Sequence, residues 1–123
     1  MEHAPAVFSI SGYAYVLSRG NRLWKYDPVN DTWSNTGADF PGTPRDVPYS
    51  FTIGNKGYLA GGIYPMNSST VLQDFWEYNS TANQWSPLAN LPMANAIGEA
   101  FSINGKGYIT GGNKPTGGSR FTM

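Results

Sequence analysis

Three stretches of the chain repeat one pattern: Phe8-Ser-Ile-Ser-Gly-Tyr-Ala-Tyr15, Phe51-Thr-Ile-Gly-Asn-Lys-Gly-Tyr58 and Phe101-Ser-Ile-Asn-Gly-Lys-Gly-Tyr108. Each reads aromatic, hydroxyl, Ile, a turn pair, then a short run ending in Tyr. Downstream, Leu23-Trp-Lys-Tyr-Asp27 and Phe75-Trp-Glu-Tyr-Asn79 repeat a second pattern, each closed by a further Trp, Trp33 or Trp85. Trp24 to Trp76 and Trp33 to Trp85 span the same interval. The spacing varies in one connection, where about nine extra residues fall within Ile63 to Gln73, and insertions confined to one loop type are a mark of stacked units. A period of about 45–50 residues makes this a repeat architecture before any single strand is assigned.

One unit reads as four short strands. Tyr49 to Ile53 alternates aromatic and hydroxyl residues, the period-2 signal of a half-buried strand. Gly54-Asn55 then turns the chain, as do Ser11-Gly12 and Asn104-Gly105, and Asn-Gly is the strongest short hairpin signal. Strand A is thus followed by strand B, Lys56 to Gly61, and strand C covers about Asp74 to Tyr78. The segment from Asn79 to Asn83 is turn-rich, and strand D holds Trp85 and ends at Pro87. Each unit is a four-stranded antiparallel meander. With 15 glycines and 9 prolines in 123 residues, punctuation is dense enough to favour many short strands over long helices.

The pattern resembles the kelch repeat, the blade of a kelch β-propeller. Tyr58 with Gly61-Gly62, then Tyr78 and Trp85, match that motif in full, and Tyr108 with Gly111-Gly112 match its first half. Tyr15, Tyr26 and Trp33 match as well, although Ser18-Arg19 stands where the glycine pair belongs. The resemblance is closest to kelch repeats of bacterial surface or secreted proteins. It implies an all-β fold, an incomplete propeller arc over residues 1–123. Blade 1 falls at about 6–40, blade 2 at about 48–92, and an incomplete blade 3 at about 98–123. The tail after Gly112 has no Trp-x-Tyr strand, so blade 3 is expected to hold two of its four strands. Trp24, Trp33, Trp76, Trp85, Tyr26 and Tyr78 read as scaffold, with Trp33 and Trp85 both expected to be largely buried. The glycine pairs read as places where blades approach closely.

Chemistry is excluded on several counts. With no cysteine and one histidine, His3, the chain has no thiolate sites and no copper centre of the galactose-oxidase kind. No cofactor is implied. Gly105-Lys106-Gly107 lies in a hairpin and not in the strand-to-helix turn of a phosphate loop. Asn30-Asp31-Thr32-Trp33 resembles the tail of a sialidase Asp-box but lacks its glycine, and no pair of the eight acids is set at one pocket as a glycosidase needs. The sequons at Asn30 and Asn79 read as turn residues; that at Asn67 lies in the inserted loop. Eight basic and eight acidic residues balance to zero, leaving no electrostatic footprint for nucleic acid. No apolar run reaches the length of a membrane span, and no signal peptide is visible, so membrane insertion is not expected. The resemblance weakly favours an extracellular or cell-surface location.

What remains is a binding surface. In an up-and-down blade the B–C and D–A connections share one end of the propeller, and the resemblance implies that partners bind there. Candidate ligand-face residues are Arg45, Asp46, Tyr64, Met66, Asn67, Asn95, Glu99, Asn113 and Lys114. Arg45 matches the arginine that kelch repeats often have at the start of strand A. Tyr64 and Met66 are the apolar contacts expected on an exposed inserted loop. The function expected is non-catalytic recognition of a protein or glycan, alongside further kelch blades or by self-association. The alternative is a fragment of a propeller enzyme acting on sugars, a sialic-acid mutarotase or sialidase relative.

Overall fold

The computed structural model describes residues 6–18, 20–64, 70–94, 98–111 and 119–122. These form three antiparallel sheets. The first has strands β1 (Ala6–Ile10), β2 (Tyr13–Leu17), β3 (Leu23–Asp27) and β4 (Thr32–Asn35), in that spatial order. The second has β5 (Tyr49–Ile53), β6 (Lys56–Ala60), β7 (Phe75–Asn79) and β8 (Gln84–Leu88), again in chain order. The third has β9 (Gly98–Ile103), β10 (Lys106–Gly111) and β11 (Ser119–Thr122). The architecture is all-β, with no helix among the described residues. The boundaries read from the sequence fall within a residue or so of these.

The A–B hairpins form where the turn pairs predict them. Ser11 and Gly12, and Asn104 and Gly105, both have positive φ, as a two-residue turn matching the strand twist requires. The C–D turns are held by side chains: Asp27 Oδ1 accepts from the Val29 amide at 2.9 Å, and Asn79 Oδ1 from that of Thr81 at 3.0 Å.

Strand β5 touches both β1 and β9 from sheet to sheet, whereas the backbones of β4 and β8 come close to no other sheet. Strand A of each blade is therefore innermost, and the blades fan outward from it. Two buried clusters fill the spaces between blades. One joins Phe8, Tyr15, Leu17 and Leu23 of blade 1 to Leu59 and Tyr78 of blade 2, with Trp76 and Trp85 packed against it. The other joins Tyr49, Phe51, Tyr58 and Phe75 of blade 2 to Ile109 of blade 3. On blade 2 the period-2 alternation splits the strands between these two spaces, with Leu59 and Tyr78 in one and Tyr58 and Phe75 in the other.

Four expectations need correction. Trp33 is 58% exposed; among the described residues no blade lies against the face it shares with Trp24 and Tyr26. Blade 3 has a third strand, β11, which pairs with β10 and sets Phe121 opposite Ile109; it lacks the Trp motif and so was invisible to it. Gly61 and Gly62 serve backbone conformation, with φ of 63° and 110°. Close approach holds at Gly62, where an added Cβ would lie 2.9 Å from Asp46 O, and is tighter at Gly57 and Gly107, where one would lie 2.6 Å and 2.1 Å from the nearest ring atoms of Phe8 and Phe51. Finally, the inserted connection is tied at its root: Ile63 is buried and bridges both Asp46 and Val71, and the Leu72 amide donates to Gly62 O at 2.7 Å.

Candidate functional site

The end of the blades where strands A begin gathers the linker from blade 1 to blade 2, the Gly61-Gly62 corner and the root of the insertion. Arg45 organises it. Its Nη1 and Nη2 donate to Asp74 Oδ1 and Oδ2 at 2.5 and 2.7 Å, a two-pronged charged pair. Nη1 also donates to Gly61 O and Nε to Thr43 O, each at 3.0 Å. The guanidinium lies 5.0 Å from the centre of the Phe40 ring. Asp74 takes a further bond from Trp76 Nε1 at 2.7 Å. Burial opposes ionisation of Asp74, but the bonds from Arg45 and Trp76, with the charge of Arg45, outweigh it and hold the carboxyl below its ordinary value.

Beside this pair, Asp46 and Ile63 exchange backbone hydrogen bonds at 2.9 Å each. Val47 follows with φ of 49°, a left-handed conformation that is costly for a β-branched residue. On the other side of the insertion, Gln73 Nε2 donates to Leu91 O and the Leu91 amide returns a bond to Gln73 O. The loop roots at this end are therefore fixed, which suits them to present what they carry in a constant position.

The sequence-predicted residues separate into three groups. Arg45 is 3% and Asp46 8% exposed, so neither lies on an open loop as expected; Arg45 is a brace. Tyr64, next to buried Ile63, is 43% exposed, and Glu99 is exposed on innermost β9 with Thr110 as its register partner. Met66, Asn67, Asn95, Asn113 and Lys114 lie outside the described residues. Asp74 was missed. Its signal, an acid at the start of strand C two residues before Trp76, is weak without knowledge that Arg45 faces it.

Two other polar groupings lie between blades. Tyr58 donates to Glu77 Oε2 at 2.9 Å, with Lys56 Nζ 3.6 Å from Glu77 Oε1. Burial, then the bond and charge of Glu77, push the Tyr58 phenol up to about 12. At the C–D turn end, a cleft of about 230 Å³ between blades 1 and 2 is lined by Tyr15, Lys25, Thr36, Tyr78, Ser80 and Asn83. Its groups bond one another: Tyr78 donates to Asn83 Oδ1 at 2.6 Å, and Asn83 Nδ2 to Thr36 O at 2.7 Å. Among the described residues no group of His, Cys, Asp or Glu could hold a metal ion, and no helix is long and apolar enough to cross a membrane.

Comparison with known proteins adds three findings. Residues 50–92 match the family model of the kelch motif. The N-acetylneuraminate epimerase of Shigella sonnei is 37% identical over 105 residues, which is 81% of this chain and 28% of that protein; an Escherichia coli protein of the same name is 36% identical over the same shares. The solved structure of YjhT superposes with a TM-score of 0.75 at 31% identity, covering 91% of this chain and 35% of that one. The chain thus spans about a third or less of the length of the proteins it matches. The expectation of a non-enzyme is corrected by the same finding, because the matched relatives are enzymes by name.

Proposed function

We propose, on the premise that this chain is made of kelch-type propeller blades, that it is part of a sugar-acting propeller enzyme whose substrate is N-acetylneuraminate or a closely related sugar acid. The observation that carries this is the 37% identity to an N-acetylneuraminate epimerase over 105 residues, which runs across the blades and their connections.

Their placement supports a part for each of these residues. Glu99, exposed on the innermost strand, offers a carboxylate that accepts hydrogen bonds from sugar hydroxyls. Tyr64, at the rim, offers a half-exposed ring face and a hydroxyl to a sugar ring. Arg45 acts as a positioning residue: its bonds to Asp74, Gly61 and Thr43 fix the linker and the corner from which Tyr64 projects. The substrate's own carboxylate needs a cation from elsewhere in the complete protein, since Arg45 is buried and bound.

The test is the exchange between N-acetylneuraminate anomers, followed by proton NMR from a freshly dissolved single anomer. The full polypeptide that carries these blades is expected to accelerate the exchange, with Glu99→Gln slowing it and leaving the circular dichroism spectrum unchanged. A folded protein that leaves the exchange at its spontaneous rate would overturn the reading.

A further inference from the structure

Both seams between neighbouring blades are built alike. Phe8 of β1 lies on Gly57 of β6, and Phe51 of β5 on Gly107 of β10. A Cβ on Gly57 would stand 2.6–2.8 Å from three ring carbons of Phe8, and one on Gly107 would stand 2.1–2.9 Å from three of Phe51. Phe8 and Phe51 are 0% and 6% exposed, so neither ring has free space to swing into. A ring on the innermost strand of one blade therefore requires glycine at the second position of strand B in the next.

Blade 1 breaks that rule. Its second position on strand B is Ala14, opposite Tyr26 just as Gly57 is opposite Tyr78. The rest of the face keeps the receiving set: Trp24, Tyr26 and Trp33 stand where Trp76, Tyr78 and Trp85 stand on blade 2. On blade 2 that set lies against blade 1, with Leu59 and Tyr78 buried in the shared cluster. On blade 1 it is open, and Val7 and Trp33 are 52% and 58% exposed. The side chains are those that receive a blade; only the seat for a phenyl ring is filled.

We propose that this face receives a kelch-type blade whose innermost strand carries a small side chain, alanine or serine, where Phe8, Phe51 and Phe101 stand. The methyl of Ala14 admits such a residue and excludes a ring. The same methyl rejects blade 3 of a second copy, which presents Phe101 at 43% exposure. Head-to-tail contacts between identical arcs build rings where the rotation closes and filaments where it does not, so one methyl group at Ala14 fixes which blade comes next and blocks both alternatives. The expectation of self-association is narrowed accordingly.

The test is sedimentation velocity of the chain across micromolar concentrations, with four proteins: unaltered, Ala14→Gly, Phe101→Ala, and the double variant. Ala14→Gly opens a seat for Phe101, and Phe101→Ala supplies the small residue that Ala14 admits. Each single variant is expected to associate head to tail at a concentration roughly tenfold to hundredfold lower than the unaltered chain, the range that relief of overpacking represents. The double variant leaves a gap and is expected to fall back toward the unaltered chain. Adding Trp33→Glu, an exposed position, is expected to abolish the gain. Circular dichroism checks that each variant keeps its strands, and Phe101→Ala provides a test independent of any change in blade 1. Equal association of all four proteins, no gain in either single variant, or a gain insensitive to Trp33→Glu overturns the proposal.

Discussion

Trp33 and Trp85 hold the same register position, opposite Tyr26 and Tyr78, yet they live in different surroundings. Trp85 packs on Phe8 and Phe40 of blade 1 and donates its indole N–H to Ala38 O at 2.9 Å. Trp33 is 58% exposed, and among the described residues its ring partner is Tyr26 of its own sheet, tilted at 42°. A propeller position takes its energy from the neighbouring blade, so the same residue is core in one repeat and surface in the next.

That difference is measurable. Trp85→Ala is expected to cost about 3 kcal/mol, the lower end for removing a packed Trp, since its side chain is only partly buried. Trp33→Ala is expected to stay within about 0.5 kcal/mol of the parent, as exposed substitutions do. Urea denaturation of both variants checks this, and equal costs would contradict the blade packing described.

The Arg45–Asp74 pair gives a second prediction. Arg45→Met leaves Asp74 without its cation and is expected to cost about 3 kcal/mol, the low end for breaking a buried pair, because Asp74 keeps 32% of its side chain in water. The pH dependence has a definite sign. The carboxyl ionises more readily folded than unfolded, so its contribution is complete above the ordinary carboxylate value of 3.8 and declines as pH falls through the lowered folded value. Asp74→Asn is expected to remove that part of the acid-side slope. Thermal melts from neutral to acid pH test it; a slope unchanged in Asp74→Asn would refute the assignment.

Much of the fold was legible because the chain writes it nearly three times over. Phe8, Phe51 and Phe101 mark strand A, and the turn pairs after them mark each hairpin, both local signals. What escaped depended on distance. Arg45 and Asp74 are 29 residues apart, and no local pattern joins them. Trp33 looks like Trp85 until the neighbouring blade is known. Strand β11 lacks the aromatic motif and was found only by its pairing with β10. At the candidate site, Tyr64 and Glu99 were legible as loop-end residues, whereas the burial of Arg45 and Asp46 came from the Asp46–Ile63 bridge, which no periodicity announces.

The close seat of Phe8 on Gly57 yields a third prediction. Gly57→Ala places a methyl group inside van der Waals contact of the ring, and overpacking of that kind costs about 1–3 kcal/mol. Phe8→Leu has a smaller side chain and is expected to relieve part of the clash, so the double variant should lose less than the two single losses added together. Chemical denaturation of the three variants gives the coupling. Additive losses would mean that Phe8 and Gly57 do not share the seam.

The buried phenols supply the last prediction. Burial first, then the hydrogen bond and charge of Glu77, push Tyr58 up to about 12, and burial, with a smaller contribution from Tyr15, pushes Tyr78 to about the same value. Both folded values lie above the ordinary 10.0. The sign follows: a phenol that resists ionisation when folded contributes stability that is complete below pH 10 and is lost as pH rises through about 12. Ultraviolet titration of the eight tyrosines is therefore expected to show late phenolic transitions that include those of Tyr58 and Tyr78, alongside Tyr49 and Tyr26, which are raised as well. Unfolding should accompany those of Tyr58 and Tyr78, because each ionised ring would have to leave the interblade cluster that holds it. Glu77→Gln removes the carboxylate charge but keeps the burial, so it should bring the Tyr58 transition down part of the way toward 10.0 and leave that of Tyr78 in place. A single transition near the ordinary value, complete before any loss of structure, would show that neither ring is held between blades.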